Sequence, residues 1–131
     1  MTEQYTKTLI KSFTDLNAWK EAHNLVLEIY TITKKFPKEE LFSLVSQLRR
    51  AVVSITSNIA EGFSRATDKD KCHFYIMALG SLTEVQNQII ISRDLKYITT
   101  EEFDKLDQQI IIASKILNGL IKSTRFRSHT S

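Results

Sequence analysis

Four stretches of this chain carry hydrophobic residues at helical spacing, and each is bounded by residues that start or stop helices. In the first, Leu16, Trp19, His23, Val26, Ile29 and Thr33 fall on one face, flanked by Leu25 and Tyr30. Asp15 is the predicted N-cap. Lys34 and Lys35 suit the negative end of the helix dipole. Phe36-Pro37 stops the helix, because proline pushes the residue before it out of the α region. Residues 1–13 show no clean period and are expected to form an irregular or partly helical lead-in.

A second helix is predicted over residues 39–61, with Leu41, Leu44, Leu48, Val52, Ile55 and Ile59 in line. Gly62 follows where a left-handed C-cap is usual. Val45, Ala51, Val53 and Ala60 widen the apolar arc to roughly 200°, twice what a surface helix needs. Such a helix is either central in a bundle or covered by another chain. Its remaining stripe is Ser43, Ser46, Arg50, Ser54, Ser57 and Glu61, mostly small residues that permit close approach.

Thr67, followed by Asp68 and Asp70, predicts a third helix start with acids in the positive first turn. That helix runs to about Leu95, with Tyr75, Leu79, Leu82, Gln86 and Ile89 in line and Phe74, Ala78, Ser81 and Val85 beside them. Gly80 sits mid-helix at a cost of about 1 kcal/mol against alanine, and close packing is the expected compensation. Thr99 and Glu102 match a capping box for a fourth helix. Its seam is Phe103, Leu106, Ile110, Ala113, Leu117 and Leu120, spaced alternately by three and four. Four helices joined by short loops predict an all-α, antiparallel up-down-up-down four-helix bundle. It is one domain, with the bundle over about 13–122 and a basic tail over 123–131.

Composition narrows the class without naming a function. The 131 residues include one proline and three glycines, too few for a many-turned β-sandwich or barrel. A single cysteine forms no internal disulfide, so nothing points to an oxidising compartment. The N-terminal residues lack the apolar core of a signal peptide, and no apolar run approaches the roughly 18 residues of a membrane span. A cytoplasmic protein with no membrane partner is expected. The net charge is +3, and it is local. Lys122, Arg125 and Arg127 supply it within residues 122–131, while the remaining chain is balanced.

Four-helix bundles often hold metals, but a di-iron site needs two Glu-x-x-His elements and two further glutamates. This chain has only Asp70-x-x-His73. Cys72 and His73 are adjacent, so on a helix they point about 100° apart and converge poorly on one ion. His23 reads as a core histidine, and Cys72 as a small buried or boundary residue. No phosphate-binding glycine loop exists. No catalytic residue, metal or cofactor is expected, and the chain reads as a non-enzyme.

The segment Ser46-Gln-Leu-Arg-Arg-Ala51, continuing through Ser54-Ile-Thr-Ser-Asn-Ile-Ala-Glu-Gly62 to Arg65, closely resembles the signature of the bacterial four-helix-bundle proteins encoded in 23S rRNA intervening sequences. Asp15-Leu16 with Trp19 and Ala22, Phe36-Pro37 with Glu40, and Ala78-x-Gly80-Ser81 with Glu84 extend the likeness over about residues 13–121. One position departs: where the family usually has proline, this chain has Thr56, which should leave the second helix straighter. The resemblance implies the same bundle fold. The family is similar to retroelement accessory variability determinant proteins, which form a pentameric barrel and bind nucleic acid with a reverse transcriptase. A homo-oligomer, with a pentamer favoured, is therefore implied, as is binding to structured RNA or DNA.

Two functions from different classes fit these residues. In the first, the protein binds structured RNA through phosphates, with Arg49, Arg50, Arg65, Lys69, Lys71, Lys122, Arg125 and Arg127 as contacts. Arginine suits this because its planar fork donates two hydrogen bonds at once. Phe126 between Arg125 and Arg127 offers one ring for stacking. Against this, Arg49 can cover the apolar arc with its stem, Arg50 and Glu61 can pair locally, and Asn58, Glu61 and Arg65 can form a structural network. In the second, the protein is an oligomeric scaffold for a protein partner such as a polymerase, with no direct nucleic-acid role. The neutral body supports that reading.

Overall fold

The computed structural model describes the backbone of residues 9–130 and the side chains through Arg127. The lead-in before Leu9 and the final Ser131 lie outside the described residues. Four helices dominate: α1 (Asn17–Thr33), α2 (Ser46–Ser64), α3 (Asp68–Asp94) and α4 (Thr100–Thr130). Each packs against its neighbours in sequence, and α4 closes back on α1. The result is the antiparallel up-down-up-down four-helix bundle that the periodicity predicts. Among the described residues, no helix is long and apolar enough to cross a membrane.

Two helix starts follow the sequence signals. The Thr67 hydroxyl accepts the Asp70 amide at 3.1 Å. At α4, the Glu102 amide donates to Thr99 Oγ1 at 3.1 Å, and the Thr99 amide donates to Glu102 Oε1 at 2.8 Å. This closes the capping box. The start of α1 differs from expectation. Asp15 does not cap α1; it ends a 3-10 turn (Phe13–Asp15) whose cap is Ser12. Its carboxylate accepts from the Lys11 and Ser12 amides at 2.9 and 3.0 Å, and α1 begins two residues later.

The second helix also begins later than its apolar pattern suggests. After Pro37 come a 3-10 turn (Lys38–Glu40) and one π-helical turn (Leu41–Val45) before regular α2 starts at Ser46. The wide turn rotates Leu41 and Phe42 outwards, so Phe42 is 92% exposed. Glu40 anchors this corner by accepting from Ser43 Oγ at 2.6 Å and from the Tyr97 hydroxyl at 2.8 Å. Further along, α2 is unbroken at Thr56, whose hydroxyl donates to the Val53 carbonyl at 2.9 Å.

The core is built from one stripe of each helix. On α1 it is Ala18, Ala22, Leu25, Ile29 and Thr33, rotated from the line expected, with Trp19, His23 and Val26 at the rim. His23 is not a core histidine; it stacks on Trp19 with ring centroids 4.6 Å apart. Leu48, Val52, Ile55 and Ile59 of α2 meet Tyr75, Leu82, Val85 and Ile89 of α3, and Leu106, Ile110, Leu117 and Ile121 of α4 complete the core. Cys72 is buried, its thiol 3.8 Å from the Ile121 carbonyl. Of the α2 small stripe, Ser54 meets α3, with its hydroxyl 2.9 Å from that of Ser81.

Two glycines depart from the roles expected of them. Gly62 is not a left-handed cap, because no glycine has positive φ and α2 continues to Ser64. Gly80 does not pack closely, because a Cβ there would meet nothing within 4 Å.

Candidate nucleic-acid interface

Antiparallel topology brings the α1 start, the α2 end, the α3 start and the α4 end together at one end of the bundle. Six of the eight basic residues singled out from sequence lie there. Arg65 follows α2, Lys69 and Lys71 lie in the first turns of α3, and Lys122, Arg125 and Arg127 lie on the last turns of α4. Residues 123–130 are not a detached tail: α4 runs through them, with Thr124 fully buried as its anchor. Arg127 reaches Asp68 at 3.3 Å and ties the end of α4 to the start of α3.

These six residues are not equally available. Arg65 pairs with Glu61 at 2.9 Å and lies over the Phe74 ring at 4.4 Å. Lys71 donates to the Phe63 carbonyl at 2.6 Å and sits over the Phe63 ring. Both staple the α2–α3 turn. Lys69, Lys122 and Arg125 are exposed and make no ion pair or side-chain hydrogen bond among the described residues. Lys20 belongs with them: it borders the groove between the start of α1 and the Leu120–Ser123 stretch of α4. Sequence reading missed Lys20, although the up-down topology was enough to place it.

Arg49 and Arg50 lie elsewhere on α2. Arg49 is half-buried and committed to α1. Its Nε–H donates to Thr33 Oγ1 at 3.0 Å, its Nη2 donates to the Tyr30 carbonyl at 3.4 Å, and its guanidinium lies 4.7 Å from the Tyr30 ring centre. The structure thus uses Arg49 as a clamp between helices. Arg50 is exposed, with no ion pair among the described residues. Asn58 does not join Glu61 and Arg65; it donates back to the Ser54 carbonyl at 2.9 Å.

At the opposite end two ion pairs join α4 to the α1 side of the bundle, while Lys34, Lys38 and Lys96 are exposed with no ion pair among the described residues. Lys35 pairs with Glu102 and Lys105 reaches Glu28 at 3.6 Å, both between α1 and α4. Hydrogen bonds from Lys35 and then from the Thr99 amide hold the Glu102 carboxyl below its ordinary value of 4.5. Ser43 and Tyr97 do the same for Glu40, and the Lys11 and Ser12 amides lower Asp15 from 3.8. Groups with lowered folded-state values stabilise the fold above their unfolded values and lose that contribution as pH falls through the folded ones. Thermal unfolding should therefore be flat down to about pH 4.5 and decline below it. Glu102→Gln should shrink the decline, and melts between pH 7 and 3 check both. These groups are partly open to solvent, which screens them, so the effect is small.

No group of three His, Cys, Asp or Glu side chains converges as a metal site among the described residues. The chemistry on offer at the basic end is cation-to-anion contact. The sequence of residues 14–119 matches the family described as 23S rRNA-intervening sequence protein. The chain belongs to that family. A solved structure from Bacteroides thetaiotaomicron, titled as a protein of unknown function from the S23 ribosomal protein family, is similar with a TM-score of 0.74. It is 22% identical, and the match covers 80% of this chain and 95% of that one. At that identity the likeness speaks for the fold, and it covers nearly the whole of the relative. No curated protein matches the sequence. Family membership fixes the bundle and leaves the chemistry to be argued from the basic end.

Proposed function

We propose that this member of the 23S rRNA-intervening sequence protein family is a non-enzymatic, self-associating bundle that binds structured nucleic acid, RNA foremost, through phosphate contacts. The observation that carries the reading is the basic end, where α1, α3 and α4 present Lys20, Lys69, Lys122 and Arg125 together. Arg65, Lys71 and Arg127 form the inner part of the same surface. Recognition is by shape and phosphate position, because Phe126, between Arg125 and Arg127, is the one ring interleaved with the last cations of α4. Self-association repeats the basic end on each copy, so modest contacts add by avidity. The proposed stoichiometry is five, from the resemblance to the retroelement accessory proteins, and the proposed location is the cytoplasm.

Salt titration of binding to a structured RNA tests this. Phosphate contacts release counterions, so log affinity falls linearly with log salt. Replacing Lys69, Lys122 and Arg125 by alanine should lower the slope by about 2 to 3, at 0.7–0.9 per lost contact. No binding at low salt, or an unchanged slope, rejects the reading. The second reading, a scaffold for a protein partner such as a polymerase, is favoured by a different observation: α3 leaves Ile76, Met77, Ile90 and Ile91 exposed.

A further inference from the structure

We infer that the connection between α1 and α2 is a docking site for an acidic peptide segment of a protein partner. One apolar side chain of the segment fills a slot there, and the neighbouring carboxylates meet Lys34, Lys38 and Arg49. The inference rests on the second reading above, a scaffold for a protein partner, and gives it a place and a chemistry. It uses no residue of the basic end.

The backbone supplies the first observation. Between Pro37 and Ser46 the chain makes a 3-10 turn and a π-helical turn before α2 becomes regular. Single π turns are uncommon and frequently mark functional sites. This one leaves Leu41 47% and Phe42 92% exposed, apolar surface that the chain itself does not cover. The slot lies beside it, against the end of α1. Phe36, Pro37, Leu41 and Val45 form its apolar floor, and Phe36 and Val45 are anchored in the core. Its volume is about 220 Å³. Pockets for drug-sized ligands run to about 300–1,000 Å³, so this slot suits one side chain rather than a whole small molecule.

Charge supplies the second. Lys34, Lys38 and Arg49 border the slot, and among the described residues no carboxylate does. Lys34 and Lys38 are exposed with no ion pair among the described residues. Arg49 is half-buried, and its partners are all neutral: the Thr33 hydroxyl, the Tyr30 carbonyl and the Tyr30 ring. Thr33 is itself buried and fixed by donating to the Ile29 carbonyl at 2.7 Å. The guanidinium is thus held in place with donors to spare and no counter-charge, a preorganised receptor for a carboxylate. The slot between α1 and α4 is the contrast. Its cations, Lys35 and Lys105, face Glu102 and Glu28 and are neutralised within the chain.

Floor and rim together select the occupant. A short acidic segment carries an apolar anchor and carboxylates side by side, matching both. The positive rim is short, because Glu39 and Glu40 follow Lys38 directly. Two or three carboxylates fit its length, whereas a strand with a phosphate on every nucleotide runs onto those two acids.

The test is an amide-shift NMR titration of the isotope-labelled full chain with the peptide acetyl-Asp-Glu-Leu-Glu-Asp-amide. Saturable shifts should centre on residues 33–49. Replacing the leucine of the peptide by alanine, or its acids by Asn and Gln, should each weaken binding about tenfold. Lys34→Glu/Lys38→Glu should weaken it as much with an unchanged thermal melt, since both side chains are exposed. No shifts at this connection, equal binding of the Asn/Gln peptide, or full affinity in the double variant would overturn the inference. So would a uridine oligonucleotide that shifts the same residues more strongly than the peptide does. The salt slope of RNA binding, read on the same double variant, keeps the proposals apart. An unchanged slope with lost peptide binding upholds this site beside the basic end. A lowered slope assigns the two lysines to RNA and overturns it. Peptide binding by a chain that binds no RNA upholds this site and rejects the basic end.

Discussion

Leu48→Ala is expected to destabilise the protein by about 2–5 kcal/mol, read as a lower midpoint in urea at unchanged m-value. Leu48 is 1% exposed and is the first core residue of α2, between Leu44 of the π-helical turn and Val52. Removing its branched end forfeits transfer energy and leaves a cavity, because the neighbours are held by three other helices and collapse only partly. Total stabilities of about 5–15 kcal/mol make this a large fraction of the whole. A midpoint shift corresponding to less than about 1 kcal/mol would mean that the centre of the bundle is not packed as described.

The sequence makes the bundle legible where a signal is local. Thr67 and the Thr99–Glu102 pair are complete within four residues, and the structure uses both as read. The α4 seam is equally direct from Leu106 through Ile110 and Ala113 to Leu117, all buried, while its ends Phe103 and Leu120 are half-buried and Ile121 takes the last core position. The errors come where tertiary context decides. On α1, ranking by hydrophobicity favours Trp19 over Ala18 and Ala22. The bundle puts the two alanines inside, where small size lets α1 sit close, and leaves the large rings at the rim. At the α3–α4 turn, Lys96 takes the left-handed position at φ 64° with no glycine to announce it. The Tyr97 amide bonds the Ser92 carbonyl and the Lys96 amide bonds the Arg93 carbonyl, both at 2.9 Å, closing a Schellman cap.

The candidate interface was legible as a list of residues but not as a place. Lys69 is far in the sequence from Lys122 and Arg125, and it is the alternating direction of the helices that puts all three at one end of the bundle. The same list could not tell that Arg49 is spent on Thr33 and Tyr30. Its Nε partner lies sixteen residues away on another helix, and only the packing of α1 on α2 brings the two together. The basic segment after Lys122 reads as a tail because its seam is short, yet Ile121 and Thr124 are both buried and carry the helix onwards.

Gly62→Ala is the second change with a large expected effect, and its sign runs against helix propensity. Alanine is the better helix former by about 1 kcal/mol, so a glycine inside α2 reads as a weak point open to improvement. The packing reverses this. A Cβ on Gly62 would lie 2.7 Å from Cε1 and 2.9 Å from Cδ1 of Tyr75, and 3.1 Å from the Lys71 carbonyl oxygen. Tyr75 is 2% exposed, with its phenol pushed above its ordinary value of 10.0 by burial, so its ring has little room to retreat. The carbonyl belongs to the first turns of α3 and cannot move alone. Overpacking of this kind costs about 1–3 kcal/mol, which offsets or exceeds the propensity gain, and larger residues such as valine extend the loss. Gly119 is the internal control: it is exposed in mid-helix, and a Cβ there would meet nothing within 4 Å. Gly119→Ala should therefore stabilise by up to about 1 kcal/mol. Thermal melts of the two variants side by side should move in opposite directions. Parallel upward shifts would show that α2 and α3 are not in close contact at Tyr75.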